Sequence, residues 1–209
     1  MQKWKEDPKL YNCKRDSDNK KKIDYYGVYI KEFLSADPVR DWESFTRCQE
    51  LWEFLLEHRE FRKPVLKVLD IGTKDGQFTQ WLCEQGHDCT GIEIDPNYVE
   101  YAQSKGRNVE EGDVCNLKSK ALTYDIVFAH HVLGLCPDYQ KAIQEMVRVT
   151  KQNGIIIFLN QIPGNPKKHF SLVQSPEEVE KMLNTCSRHD VVYFDFWRND
   201  EHVTILKRK

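Results

Sequence analysis

"VLDIGTKDGQFT", Val68 to Thr79, decides how the rest of this 209-residue chain is read. An almost unbroken apolar run from Val65 reaches an acid, Asp70, and then a turn with glycines at 72 and 76. A short apolar run without alternation suits a strand covered on both faces, as in a parallel sheet. The "QFTQWLCEQG" that follows has helical texture and ends at Gly86, a suitable C-terminal glycine. At such a turn, glycine lets a ligand approach the backbone, and the next helix points free N–H groups at the same place. Taken alone, the turn is equally an ordinary strand-to-helix connection, so its neighbours must decide.

Downstream, "CTGIEI" reads as a second strand. "DPNYVEYAQSKG" reads as a helix with Asp95 as N-cap, Pro96 in its first turn and Gly106 at its end. "RNVEEGD" is a third, short strand and "YDIVFAH" a fourth. "DYQKAIQEMVRVTKQNG" is an amphipathic helix closed by Gly154, and "GIIIFLN" a fifth strand. "SPEEVEKMLNTC" starts a helix at Ser175 and Pro176. "DVVYFDFWR" and "HVTILKRK", joined by "NDE", predict a hairpin. Strand and helix in alternation give the α/β class: a mainly parallel sheet with helices on both faces, into which the hairpin brings one antiparallel strand. Upstream, Asp41 to about His58 has apolar residues at helical spacing (Trp42, Phe45, Leu51, Trp52, Phe54, Leu55), with Asp41 as N-cap. Before it, "KRDSDNKKK" is a solvated segment or a lid. Residues 1–40 are therefore read as an arm and 41–209 as a single domain.

The net charge of -2 and a pI near 6.4 give no global pull toward nucleic acid or an anionic membrane. Hydrophobic content of 40% argues for a folded protein. No apolar run approaches spanning length, and the first residues hold no signal-type segment, so the expected setting is cytoplasmic, away from membranes. Seven scattered cysteines, with no CxxC pair, read as buried thiols; no metal site is expected.

In an open parallel sheet, ligands bind beyond the carboxyl ends of the strands. Glu93 ends the second strand, 21 residues after Gly72, where a carboxylate suits a ribose diol. Asp113, in "GDV" at the end of the third strand, suits an exocyclic amine, and equally suits a turn. Acids at the ends of successive strands favour a nucleoside-type ligand over coincidence.

On these residues the chain resembles the class I S-adenosylmethionine-dependent methyltransferases, in the small-molecule-type group. "VLDIGTKDG", "GIEIDP", "EGDV", "YDIVFAHHVLGLCPD" and "EMVRVTKQNGIIIF" are similar to that family's successive motifs, from about Val65 to the end of the chain. The resemblance implies a Rossmann-like, seven-stranded sheet in order 3-2-1-4-5-7-6, strand 7 antiparallel. It also implies S-adenosyl-L-methionine as cofactor, held by Asp70, Gly72, Thr73, Lys74, Gly76, Glu93, Ile94, Asp113, Val114, Ala129 and His130. The sequence departs from the family at Lys74, where a glycine is usual. Either the turn is wider there, or Lys74 meets the methionine carboxylate. Asn153 stands for the first of a glycine pair, and Gly134 and Leu135 for a Glu-His pair. The missing glycine counts against a dinucleotide site, which wants GxGxxG.

Methyl transfer needs alignment, and a base only if the acceptor must lose a proton. His131 and His130, ending the fourth strand, are the candidates; each ring is equally suited to packing. His169 reads as a substrate contact or a surface residue, and Tyr25 and Tyr26 as a cover over the cofactor or as packing. Gly72 is expected to refuse a side chain because the cofactor lies against it. The expected acceptor is a small molecule or a glycan-like compound. A protein or RNA acceptor, or an inactive cofactor-binding partner subunit, is the alternative. Nucleic acid is disfavoured, since no NPPY-like segment follows the fourth strand.

Overall fold

The computed structural model describes residues 39–57, 64–133, 136, 138–161, 189–198 and 201–209. These residues fall in two units, each taken by itself. The first contributes helix α1, Val39–Glu57, whose Leu51, Trp52 and Leu55 are buried. The helix begins two residues before Asp41, so Asp41 lies in its first turn and is not its cap. An acid is stabilised by the helix dipole in either place, which is why the sequence signal is the same.

The second unit is a seven-stranded sheet in order β3-β2-β1-β4-β5-β7-β6. Its elements are β1 (Lys67–Ile71), α2 (Gln77–Glu84), β2 (Asp88–Glu93), α3 (Pro96–Ser104), β3 (Val109–Glu111), β4 (Tyr124–His130), α4 (Tyr139–Val149), β5 (Thr150–Gln161), β6 (His189–Arg198) and β7 (Glu201–Arg208). β7 runs antiparallel to both β5 and β6; the other pairings are parallel. This is the topology and the tail hairpin expected from the sequence.

Side chains alternate across the sheet, so both faces can be read from the register. Leu69, Ile71, Val127, Ala129, Ile156 and Phe158 share a buried cluster with Ala142, Ile143 and Met146 of α4. On the opposite face Phe78 of α2 packs on Phe128, with ring centroids 5.0 Å apart. Central strands covered on both sides must be apolar at every position, which explains the unbroken runs. Asp70 is the buried exception in β1, whose Lys67 is only partly covered, and it faces α2.

The chain winds from β1 through β2 to β3, then crosses back to place β4 on the other side of β1. Ile71 stands opposite Ile92 of β2 and Ala129 of β4. The carboxyl ends of β1, β2 and β4 are thus level, and Gly72, Glu93 and His130 each follow that level by one residue. The crevice at this switch point is the expected ligand position of the fold.

Two helix and strand readings and the reading of the cysteines need adjustment. β3 spans only Val109–Glu111, because Arg107 turns toward the glycine loop. α4 ends at Val149 and not at Gly154; Thr150 already pairs with Tyr124, and Asn153 takes a positive φ of 60° in the bulge that follows. Cys48, Cys89 and Cys136 are buried, but Cys83 is exposed and Cys115 half-buried. The caps of α3 stand as read: Asp95 accepts from the Asn97 N–H at 2.8 Å, and Pro96 opens the helix. The helix read from Ser175, His169, Tyr25 and Tyr26 lie outside the described residues, as do Gly134 and Leu135. Among the described residues no helix is long and apolar enough to cross a membrane.

Candidate active site

The turn after β1 is held against the end of β2 by its own backbone. Gly72 N–H donates to the Ile92 carbonyl at 2.7 Å, and Lys74 N–H donates to Glu93 Oε2 at 2.9 Å. The turn closes on itself through Gly76 N–H to the Thr73 carbonyl, 3.0 Å. Lys74 takes φ 54°, the left-handed region that glycine enters without strain. The turn therefore keeps a glycine-like path although the glycine is missing, and Lys74 bears the cost.

Gly72 has φ +70°, and a Cβ there would lie 2.3 Å from Val132 Cγ2. A side chain at Gly72 is thus refused by the protein itself. The expectation that the ligand does this is replaced by a packing cause.

Glu93 is buried, at 7% exposure, yet its carboxylate is well supplied with donors. Oε1 accepts from the N–H groups of Ile94 (2.8 Å) and Asp95 (3.1 Å), while Oε2 takes Lys74. Burial pushes its pKa up, and the N–H groups of Asp95, Lys74 and Ile94 pull it back. A carboxylate offers about four lone-pair sites, so acceptor capacity remains for a ligand hydroxyl. Directly after it Ile94 is 54% exposed, an unusual place for a large apolar side chain. A buried acid beside an exposed apolar face matches the ribose and base of a nucleoside. The donor set therefore fits the cofactor expected from the sequence.

Behind the turn lies a chain of hydroxyls that the sequence reading missed. Asp70, 3% exposed, accepts from Thr79 Oγ1 at 2.7 Å, and Thr79 Oγ1 lies 2.8 Å from Thr73 Oγ1. Burial raises the Asp70 pKa to about 6; the Thr73 and Thr79 hydrogen bonds oppose this, and Glu93 and Asp75 add to it. The folded protein keeps this proton to a higher pH than the unfolded chain does. The contribution of Asp70 to stability is therefore full in acid and lost as pH rises through about 6. Gly91, opposite Asp70 in β2, makes room: a Cβ there would lie 2.6 Å from Thr73 Cγ2 and 2.7 Å from Thr79 Oγ1. A glycine inside a strand is the one signal that could have revealed this close approach.

Arg107 was also missed, and nothing local in the sequence marks it. Its Nη1 donates to the Asp75 carbonyl (2.6 Å) and to Asp75 Oδ2 (2.9 Å), and its Nε to Gln80 Oε1 (2.9 Å). The guanidinium thus ties the far side of the turn to the start of β3.

Asp113 serves the turn it was expected to favour, accepting from the Cys115 N–H at 2.8 Å, while its side chain stays exposed. Val114 is buried beneath it. At the end of β4 Ala129 is fully buried, and the His130 and His131 rings meet edge to face at 4.2 Å. His131 holds φ 56° and donates its N–H to the Leu159 carbonyl at 2.8 Å. The structure thus gathers the turn, Glu93, Ile94 and His130 at the carboxyl ends of β1, β2 and β4.

Comparison with known proteins agrees with this geometry. Residues 69–158 match the family described as a methyltransferase domain. Malonyl-[acyl-carrier protein] O-methyltransferase of Pectobacterium atrosepticum is 28% identical over 102 residues, covering 48% of this chain and 40% of that one. Norajmaline N-methyltransferase of Rauvolfia serpentina is 33% identical over 128 residues, covering 57% and 44%. The chain thus spans less than half the length of either relative. A crystal structure of a SAM-dependent methyltransferase from Aquifex aeolicus superposes with a TM-score of 0.68 at 20% identity, covering 86% of this chain and 97% of that one.

Proposed function

We propose that this chain, whose residues 69–158 match the family described as a methyltransferase domain, is a class I S-adenosylmethionine-dependent methyltransferase that catalyses methyl transfer to a small-molecule acceptor. One arrangement carries the reading: the buried Glu93 carboxylate, bound to the glycine turn through Lys74 N–H and flanked by exposed Ile94.

S-adenosylmethionine is the family's cofactor and supplies a methyl group activated on a sulfonium. The chain's own part is to bind and align. Glu93 takes the ribose hydroxyls, and Ile94 and Val114 offer apolar surface to the base, with Asp113 at its amine edge. The turn from Asp70 through Gly72, Thr73 and Lys74 to Gly76 holds the amino-acid end. His130, which follows the buried Ala129 at the end of β4, lies toward the acceptor. His131 takes a proton if the acceptor is a hydroxyl; a neutral amine does not need it. The acceptors named for the two relatives, a malonyl group on acyl-carrier protein and norajmaline, support a small acceptor group.

The test has two steps. Calorimetry with S-adenosylmethionine should show one site, and mass spectrometry after incubation with a pool of small acceptors should show a methylated product. Failure to bind refutes the reading. Binding with no turnover on small molecules, proteins or RNA makes the chain an inactive cofactor-binding subunit, and methylation of protein or RNA alone corrects the acceptor class.

A further inference from the structure

We infer that Thr79 is a positioning residue for cofactor binding: it transmits the charge of Asp70 to Thr73 through two hydroxyls and so fixes the glycine turn. The inference rests on the reading of this site as a cofactor site.

A hydroxyl has one proton to give. With Asp70 ionised, the Thr79 proton must go to Asp70 Oδ2, 2.7 Å away. Thr79 Oγ1 can then only accept from Thr73, so the Thr73 proton points inward, to the 2.8 Å contact with Thr79 or to Asp70 itself. The chain has one direction, and Thr73 is locked through its side chain. Thr73 is also the residue whose carbonyl closes the turn to Gly76 and whose N–H reaches the Ile92 carbonyl at 3.3 Å. Locking Thr73 therefore locks the backbone from Gly72 to Gly76. Thr79 is fully buried at the start of α2, so its hydroxyl has no solvent alternative.

When Asp70 gains a proton the direction is no longer fixed. Its new O–H competes to donate to Thr79, which can then donate to Thr73 instead. The lock loosens as pH falls through about 6. The charged and titratable groups acting on Asp70 are Glu93 at the end of β2, Asp75 in the turn, where Arg107 pairs with it, and Cys89 in β2. Glu93 is raised as well and adds its own pH dependence. The experiment must therefore compare variants and not read one profile.

The probe is S-adenosylhomocysteine, which lacks the sulfonium charge and so removes direct attraction to Asp70. Its affinity is measured by calorimetry across pH 5 to 8, a window of about this width spanning the Asp70 range, for the native chain, Thr79→Val and Thr79→Ser. Thermal melts are recorded in parallel. Thr79→Val is expected to weaken binding about tenfold to a hundredfold at neutral pH and to shrink the limb near pH 6. Thr79→Ser should restore both. Equal affinity and an equal limb in Thr79→Val overturn the inference while leaving the cofactor reading intact. So does a loss of affinity that only follows a loss of stability, with the limb unchanged and no rescue by serine. No binding by the native chain removes the cofactor reading, and the inference with it.

Discussion

Replacing Glu93 by glutamine separates two roles of one carboxylate. Glu93 accepts three backbone N–H bonds, from Lys74 at 2.9 Å, Ile94 at 2.8 Å and Asp95 at 3.1 Å. An amide has one oxygen. Facing Ile94 and Asp95, it keeps two of these bonds in weaker, uncharged form, and its NH2 then meets the Lys74 N–H donor to donor. Losing a hydrogen bond to a charged group costs about 1.5–3 kcal/mol. Removing the charge returns part of this, because burial already disfavours the ionised form. Glu93→Gln should therefore lower stability by about 2 kcal/mol even without cofactor. Affinity for S-adenosylmethionine should fall a further tenfold or more, since the ribose loses a charged acceptor. Urea unfolding of the unliganded protein measures the first quantity and calorimetry the second. Unchanged unfolding would refute the role of Glu93 in pinning the turn. Unchanged affinity in a folded variant would refute its role at the ribose. Gly72→Val cannot serve as a companion test, because Val132 would clash with it whether or not a ligand binds there.

Lys74→Gly should stabilise the protein by roughly 0.5–1 kcal/mol in urea unfolding, because the left-handed cost of about 1–2 kcal/mol exceeds the added entropy of glycine in the unfolded chain. Arg107→Ala should cost about 1.5–3 kcal/mol of stability and weaken cofactor binding. Arg107→Lys should not recover it, since one ammonium cannot reproduce the fork on Asp75 and Gln80; denaturant midpoints and calorimetry check both. For a hydroxyl acceptor, His131→Asn should lower turnover by about two to four powers of ten at unchanged cofactor affinity. Asparagine is preferred to alanine there because it tolerates the positive φ of His131.

The apolar runs at Val65–Ile71, Ile126–Ala129 and Gly154–Leu159 can be satisfied only as strands covered on both faces, so the α/β class was legible from the chain alone. The glycine turn, Glu93 and Asp95 were legible too, because their signals are local: a turn, a strand end and a cap each depend on a few neighbouring residues. What the sequence could not decide were distances between residues far apart along it. Thr79 reaches back nine residues to Asp70, Gly91 makes room for Thr73 of the turn and Thr79 of α2, and Arg107 crosses 32 residues to Asp75. A hydroxyl or a guanidinium carries no periodic signature. Its partner is chosen only when the sheet's register brings the two within hydrogen-bond reach. The same holds for Gly72, whose intolerance of a side chain comes from Val132, placed beside it only when β4 pairs with β1. Local chemistry selects the elements, and packing selects which of their polar groups meet.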